Sequence, residues 1–199
     1  MVLHDFWTFF IWSTVAGLAV IGIYQLFLLI LRARGVFVTR TKFGLTMIFD
    51  SEDADGTPII LLNVNGTFQS VSYTTPELRF ELCVHYHRMM AKIIQQVAPQ
   101  GRVVILGGGG FSLPKYLATH MHGATVEAIE IDPKIVSLAR EHFFLEEALA
   151  VASSNLRIIE DDAWKVLQNA DAGSIDVLVN EVFAGRKSLG TMGTAAGAQ

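Results

Sequence analysis

The chain has 199 residues, of which 51% are hydrophobic and 17% charged, and its formal net charge at pH 7 is −4. This acidic balance argues against nucleic acid as a partner. The single cysteine, Cys83, excludes an internal disulfide framework and a cysteine-rich zinc module, and no metal site is predicted.

The hydrophobic residues are concentrated near the N-terminus. The 26 residues from Phe6 to Leu31 include 20 hydrophobic residues and no charged one. As a helix this segment would be about 39 Å long, enough to cross a hydrocarbon core of about 30 Å. The remaining residues have an ordinary globular composition. We therefore predict a transmembrane anchor over residues 1–34, which contacts the membrane through residues 6–31, and a soluble domain after it.

The charges that flank the apolar segment predict its orientation. Four basic residues follow it, with no acidic residue among them: Arg32, Arg34, Arg40 and Lys42. No Lys or Arg precedes it, so the positive-inside rule places the N-terminus outside and the C-terminal domain in the cytoplasm. A cleaved signal peptide is the alternative, but the segment lacks a basic start and exceeds the usual length of that peptide's apolar region.

Residues 43–74 have the pattern of a small β-hairpin module. Apolar runs at 43–49, 59–64 and 67–73 predict strands, and Asn65-Gly66 is a strong hairpin signal. The acidic run between the first two strands predicts a solvated turn, because it lacks the spacing of a calcium loop.

Residues 75–99 predict an amphipathic linking helix. Thr75 as N-cap and Pro76 at the first helical position mark its start, and apolar residues at three- and four-residue spacing form one stripe along it. His85 and His87 lie two positions apart, so on a helix they point to different sides. We expect them to be surface residues of the helix.

From residue 101 to residue 185, strands alternate with helices. Short apolar runs predict four strands, at 102–106, 125–129, 156–159 and 175–179. Helical patterns follow the first three strands. This alternation is typical of right-handed βαβ units, so the predicted fold class is α/β with a Rossmann-like parallel sheet.

A glycine-rich segment joins the first of these strands to its helix, at the place where such folds bind a nucleotide-like ligand. This glycine loop consists of Gly107, Gly108, Gly109 and Gly110. Glu130 follows the second strand, 23 residues after Gly107. A carboxylate at that position can accept hydrogen bonds from both ribose hydroxyls of an adenosine.

Two further acidic positions lie at the ends of later strands. Asp162, after the third strand, either accepts the adenine amino group or caps the following helix together with Asp161, and both interpretations stay open. Glu181 follows the fourth strand and faces the same crevice. A dinucleotide would require a third glycine at position 112, which is Ser112, so S-adenosylmethionine fits the pattern better than NAD(P).

The motifs at 105–114, 126–133, 161–163 and 176–185 together resemble the spermidine synthase-like branch of class I S-adenosylmethionine-dependent methyltransferases. The hairpin that contains Gln69 and the Tyr86-His87 pair are similar to further motifs of that branch. The resemblance implies that the glycine loop seats the methionine moiety, with Gln69 beside the cofactor, Glu130 at the ribose and Asp162 at the adenine. It also implies a homodimer through the N-terminal β region.

The chain departs from the family's aminopropyltransferases at the acceptor side. Two aspartates follow the fourth strand in those enzymes, and here the positions hold Glu181 and Ala184. Gly110 stands where the family usually has Asp, and Arg88 stands where it has Glu. We therefore expect a membrane-anchored methyltransferase in which Glu181 orients or deprotonates an unidentified acceptor. A non-catalytic adenosyl-binding or scaffold protein and an aminopropyltransferase are the alternatives.

The family's sheet has seven strands, of which four are visible in this sequence. The residues at 186–199 are small and polar, and they predict a flexible tail rather than further sheet. We expect either a truncated product or a second chain that covers the edge of the fourth strand.

Overall fold

The computed structural model describes residues 2–152, 154–184 and 187–188. The chain divides into two compact units, of which the first ends at Val38 and the second begins at Thr39. The first unit consists mainly of one long helix, and the second contains two main sheets with their helices.

Helix α1 (Val2–Ala33) is rich in apolar residues, and none of its apolar window is buried in the structure. By length and composition this helix is able to cross a membrane. It closes at Gly35, whose φ of +79° is the left-handed conformation common after a helix. The N–H groups of Gly35 and Val36 donate to the carbonyls of Arg32 and Leu31, which satisfies the last turn.

The hairpin module is a four-stranded sheet with the order β1-β2-β3-β4. Its strands are β1 (Phe37–Thr41), β2 (Gly44–Glu52), β3 (Pro58–Val64) and β4 (Thr67–Tyr73). The predicted hairpin at Asn65-Gly66 is present, and both residues have positive φ, as its tight turn requires. Sequence analysis does not predict β1, because this strand is only five residues long, is mostly polar and is separated from α1 by only three residues.

The segment predicted as one helix over 75–99 is divided in two, which corrects that prediction. A single 3₁₀ turn covers Pro76–Leu78, and helix α2 begins only at His85 and ends at Val97. The Thr75 side chain makes no capping hydrogen bond. The Arg88 guanidinium instead donates to the carbonyls of Leu82 and Cys83, so these carbonyls are satisfied without helical geometry.

The buried face of α2 also differs from the prediction. The stripe residues on this helix are largely exposed: Tyr86, Met89, Ile93 and Val97. The face that packs inward carries His87, Ala91 and Ile94. The expectation that His87 lies on the surface is therefore wrong, because the periodicity identifies an apolar face but not the neighbour that covers a helix.

The parallel sheet has the order β7-β6-β5-β8, which confirms the predicted α/β class. Its strands are β5 (Arg102–Leu106), β6 (Thr125–Ile129), β7 (Leu156–Ile159) and β8 (Val177–Asn180). The helices are α3 (Ser112–His120), α4 (Pro133–His142), α5 (Leu145–Ala152) and α6 (Ala163–Gln168). Residues 103–106 are at most 1% exposed, so β5 is the centre of the core.

The predicted tail lies mostly outside the described residues. Within it, the backbone of Lys187–Ser188 forms strand β10, which pairs antiparallel with β9 (Phe183–Ala184). The expectation of no further strand after residue 185 is therefore wrong at these two positions.

A buried lysine ties the hairpin sheet to the parallel sheet. Lys115 on α3 is 1% exposed. Its Nζ donates to the Ser72 hydroxyl at 3.2 Å and to the carbonyl of Phe143, which follows α4. Burial lowers the pKa of Lys115 to about 7, although the nearby Cys83 and Glu147 partly oppose that shift. Folding therefore disfavours the charged ammonium at this position.

Replacing Lys115 with methionine should flatten the pH dependence of stability between pH 7 and pH 9. The ordinary pKa of 10.5 exceeds the folded value of about 7, so the unfolded chain binds more protons in this window. The free energy of unfolding of the wild type should therefore rise with pH, by at most about 1.4 kcal/mol per pH unit from this group. Burial raises the pKa of Cys83 from 9.0 to about 11, so its opposite effect is small at pH 7 to 8 and partly offsets the rise only as pH 9 is approached.

Urea unfolding of the full chain in detergent, followed by circular dichroism at pH 7, 8 and 9, measures this slope. Lys92→Met is the matched control, because Lys92 is an exposed lysine on α2 and should leave the slope unchanged. An unchanged slope in Lys115→Met would contradict the assignment.

Candidate functional site

The glycine loop follows β5 and packs closely on two neighbours. At Gly107, whose φ is +96°, an added Cβ would lie 2.7 Å from the carbonyl oxygen of Glu181. At Gly110 it would lie 2.6 Å from the Ser70 hydroxyl and 2.9 Å from the Phe143 ring. Side chains at these two positions would collide with the end of β8 or with β4, so the tight loop depends on glycine.

Glu130 anchors this loop to the end of β6. One carboxylate oxygen accepts the N–H of Gly108 at 2.9 Å, and the other accepts the N–H of Asp132 at 2.9 Å. The side chain is buried. Each oxygen keeps a second lone pair, so the carboxylate can hold the loop and still accept a hydroxyl hydrogen bond.

Asp132 connects the N-terminus of α4 to the hairpin module. Its Oδ1 accepts the N–H of Lys134, which makes it the N-cap of α4. Its Oδ2 accepts the N–H of Lys42 at 2.6 Å, from the turn between β1 and β2. Sequence analysis misses this second contact because 90 positions separate the two residues.

Asp161 and Asp162, the acidic pair after β7, mainly form hydrogen bonds at the start of α6. Asp162 is the N-cap, and its Oδ1 accepts the N–H of Trp164 at 2.9 Å. Asp161 accepts hydrogen bonds from the Lys165 ammonium and the Asp162 N–H, and the bond from Lys165 is the main cause that lowers the pKa of Asp161. Capping thus occupies one oxygen of Asp162, and the other has no hydrogen-bond partner among the described residues.

Gln69 lies beside the glycine loop through its backbone. An added Cβ at Gly109 would be 3.3 Å from the Gln69 carbonyl oxygen, so β4 packs directly against the loop. The neighbouring hydroxyls of Ser70, Ser72 and Ser112 are linked, with Oγ–Oγ distances to Ser112 of 3.1 and 3.3 Å. These contacts place the hairpin sheet next to the loop, and the role of the Gln69 side chain stays a prediction.

Glu181 follows β8 and pairs with His87 of α2. The Oε1–Nε2 distance is 2.7 Å, and the side chains are 17% and 8% exposed. The backbone N–H of Glu181 donates to the Leu106 carbonyl, which holds this residue beside the start of the glycine loop. Sequence analysis singles out Glu181 but misses His87, for which the Tyr86-His87 motif is the one available signal.

Tyr86 lies next to this pair. The ring centroids of Tyr86 and His87 are 4.2 Å apart. Burial, followed by the charge of Glu181, raises the pKa of Tyr86 to about 12. The phenol therefore stays protonated at neutral pH and can serve as a hydrogen-bond donor.

The predicted residues collect at the carboxyl ends of the parallel strands. Glu130, Asp162 and Glu181 each follow a different strand, and the glycine loop follows β5. A separate cavity of about 290 Å³ lies beneath α6 and is lined by none of these residues. Among the described residues no group of three or more His, Cys, Asp or Glu side chains is arranged to hold a metal ion.

No protein-family model matches the chain. A polyamine aminopropyltransferase from Stenotrophomonas maltophilia is 31% identical over 98 residues, which cover 47% of this chain and 33% of that protein. The chain thus spans about a third of the length of the curated relatives that it matches.

Two solved structures share the fold. A probable spermidine synthase from Corynebacterium glutamicum has a TM-score of 0.61 and 24% identity, over 77% of this chain and 54% of that one. A spermidine synthase from Thermotoga maritima has a TM-score of 0.55 and 17% identity, over 75% and 48% of the two chains. Together with the strand order and the glycine loop, these likenesses show that the chain has the spermidine synthase-like form of the class I methyltransferase fold.

Proposed function

We propose that this chain is a membrane-anchored, spermidine synthase-like transferase that binds S-adenosylmethionine and directs its methyl group to an acceptor. The observation that carries this proposal is the Glu130 carboxylate, which lies at the end of β6 and is hydrogen-bonded to the glycine loop at 2.9 Å. Open α/β sheets bind their ligands at such a crevice, outside the carboxyl ends of the strands.

The residues of the crevice fit an adenosyl ligand. Glu130 keeps lone pairs for ribose hydroxyls, and Asp162 keeps one oxygen for the adenine amino group. The glycine loop has no side chains that would occupy the ligand's space, so its backbone can approach the ligand closely. Gln69 would lie beside this loop. Bound S-adenosylmethionine supplies an electrophilic methyl group on a sulfonium sulfur.

The packing at Gly110 favours a methyl group over an aminopropyl group. The aminopropyl chain of decarboxylated S-adenosylmethionine ends in an ammonium that requires a carboxylate partner in a partly buried site, whereas the methionine moiety of S-adenosylmethionine carries a carboxylate beside its own ammonium. Gly110 offers no carboxylate, and Ser70 and Phe143 fill the space that a side chain there would need. The loop is therefore better suited to a donor that brings its own carboxylate to this position.

The acceptor side requires little acid–base chemistry. Methyl transfer depends mainly on holding the nucleophile and the methyl carbon in line. Glu181, next to the glycine loop, would orient the acceptor and accept its proton. Tyr86 would donate a hydrogen bond nearby, since its pKa of about 12 keeps the phenol protonated.

Aminopropyl transfer is a second candidate, and the similarity to relatives named polyamine aminopropyltransferases favours it. Glu181 supplies a carboxylate in the crevice, as an amine acceptor would need. The donor would then be decarboxylated S-adenosylmethionine, which separates the two candidates by ligand preference.

The membrane part of the proposal rests on helix α1 and the basic residues after it. We infer a single-pass anchor with the N-terminus outside and the transferase unit in the cytoplasm. The acceptor would then be reached from the cytoplasmic side of that membrane.

Glu130→Ala should weaken binding of S-adenosylmethionine by about 10- to 100-fold, because it removes charged hydrogen bonds to the ribose and frees the glycine loop. Isothermal titration calorimetry on the full chain in detergent measures this loss. Glu77→Ala, at an exposed acidic residue in the 3₁₀ turn, is the matched control and should bind normally. Equal affinities of the wild type and Glu130→Ala would refute the assignment.

The wild type should bind S-adenosylmethionine at least about tenfold more tightly than decarboxylated S-adenosylmethionine, because the loop has no carboxylate for the ammonium that both ligands carry and only S-adenosylmethionine brings its own. Competition between the two ligands in the same calorimetric cell gives the ratio directly. A preference for the decarboxylated ligand, with transfer to a supplied diamine, would favour the aminopropyltransferase candidate instead.

The topology can be tested with a natural glycosylation acceptor. Asn65-Gly66-Thr67 is an Asn-x-Thr sequence in an exposed turn of the hairpin module. If the second unit is cytoplasmic, the chain translated with endoplasmic reticulum microsomes should remain unglycosylated at Asn65. The same tripeptide on an N-terminal extension should be modified, and endoglycosidase digestion reports both. Modification of Asn65 would reverse the proposed orientation.

A further inference from the structure

The turn between β1 and β2 carries exposed basic and aromatic side chains. Lys42 and Phe43 form this turn, and Arg40 lies near the end of β1. All three residues are exposed, and Phe43 exposes 38% of its surface. Among the described residues neither Arg40 nor Lys42 has an ion-pair partner. The turn therefore presents two positive charges and an aromatic ring to its surroundings.

A third exposed lysine is held next to this turn by Asp132. The two carboxylate oxygens of Asp132 accept the backbone N–H groups of Lys42, at 2.6 Å, and of Lys134, at 2.9 Å. Because both N–H groups bind one carboxylate, the two lysines are neighbours in space. Lys134 is exposed, whereas Asp132 is only 3% exposed, so its charge is not presented on the surface. We call Arg40, Lys42, Phe43 and Lys134 the basic patch.

The basic patch lies beside the site that we assign to the donor. The N–H of Asp132 donates to Oε1 of Glu130, and Oε2 of Glu130 accepts the N–H of Gly108 in the glycine loop. Asp132 thus connects the patch directly to the carboxylate that we assign to the ribose. A surface that binds the patch would therefore lie next to the crevice.

The charges of the chain are unevenly distributed, and the distribution favours an anionic partner at its N-terminal end. The first 49 residues contain four basic residues and one acidic residue, whereas the following 150 contain 11 and 18. No acidic residue occurs between Asp5 and Asp50. The negative surface potential of a membrane attracts basic residues close to a membrane-spanning helix, and apolar rings of surface-bound segments enter the headgroup region.

Chain connectivity favours a lipid surface over a soluble anion. Ten residues lead from the end of α1 at Ala33 to Phe43, and ten extended residues span at most about 36 Å. A bilayer that holds α1 therefore offers its headgroups to the patch at a high effective concentration, whereas a soluble anion must bind from dilute solution.

We infer that the basic patch binds the anionic headgroups of the bilayer in which α1 is anchored, and that it thereby holds the crevice at the bilayer surface. This inference rests on the membrane anchor in the proposed function. Arg40, Lys42 and Lys134 would pair with phosphate and carboxylate groups of the lipids. The Phe43 ring would lie among the headgroups. The acceptor would then have to reach the lipid–water interface.

Lysine footprinting in lipid nanodiscs tests this inference on the wild-type chain. The full chain is inserted into nanodiscs of phosphatidylcholine, alone or with about 30% phosphatidylserine, and acetylated with an N-hydroxysuccinimide ester before mass spectrometry. We expect Lys42 and Lys134 to react at least about fivefold more slowly when phosphatidylserine is present. This protection should fall in about 0.5 M salt. Lys92, an exposed lysine of α2 outside the patch, is the internal control and should react equally in both lipids.

A double variant tests the patch while both lysines remain as reporters. Arg40→Gln with Phe43→Ser removes one charge and the aromatic ring, so we expect it to abolish most of the difference between the two lipids. Lys92→Gln with Val97→Ser removes one charge and one exposed apolar side chain from α2, and this matched control should keep the difference. Circular dichroism verifies that both double variants are folded.

Equal reactivity of Lys42 and Lys134 in the two lipids would overturn the inference. Fast reaction in both lipids would show free side chains, and slow reaction in both would show cover by protein, such as a second copy of the chain. Protection by about 10 mM inorganic phosphate in phosphatidylcholine alone would also overturn it, because the patch would then be a site for a soluble anion.

Alkaline carbonate extraction separates this inference from the proposed function. A chain that carbonate releases from the membrane would defeat the anchor itself. A chain that stays in the membrane but shows equal lysine reactivity in both lipids would defeat the basic patch alone.

Discussion

The arrangement of the candidate site depends on one carboxylate, that of Glu130. Its two oxygens accept N–H groups from Gly108 and Asp132, so one side chain joins the glycine loop, the end of β6 and the start of α4. A buried carboxylate is costly unless its charge is compensated, and here two backbone donors supply that compensation. The same two bonds orient the loop and α4, so the crevice is formed before any ligand arrives.

The hairpin sheet is the second wall of this crevice, and polar contacts hold it in place. The N–H of Lys42 donates to Asp132, and Ser70 and Ser72 of β4 contact Ser112 at the start of α3. Lys115 adds a buried donor to Ser72, although burial lowers its pKa to about 7. The polar groups in these contacts are hydrogen-bonded, so burying them between the two sheets costs little free energy. The same hydrogen bonds determine how the two sheets are positioned.

Local sequence signals predicted the parts of the structure that local interactions decide. The strands at 102–106, 125–129 and 156–159 have their predicted bounds, because each is a short, largely apolar run that pairs within the parallel sheet. The hairpin turn at Asn65-Gly66 is present as predicted, since such a turn is determined within a few residues. His87 and Glu181 are 94 positions apart, and nothing in the periodicity of α2 indicates that its less apolar face is the one that is covered.

Gly110 and Glu181, two positions at which the sequence departs from the family's aminopropyltransferases, both make close contacts inside the protein. Gly110 has no carboxylate, and Ser70 and Phe143 pack closely against the loop at this position. No empty space is left where a longer side chain would lie. At Glu181 a carboxylate remains, but His87 supplies it with an internal hydrogen-bond donor. At one position neighbouring side chains fill the space beside the loop, and at the other the carboxylate already has a hydrogen-bond partner inside the protein, so neither position presents a free carboxylate to the crevice.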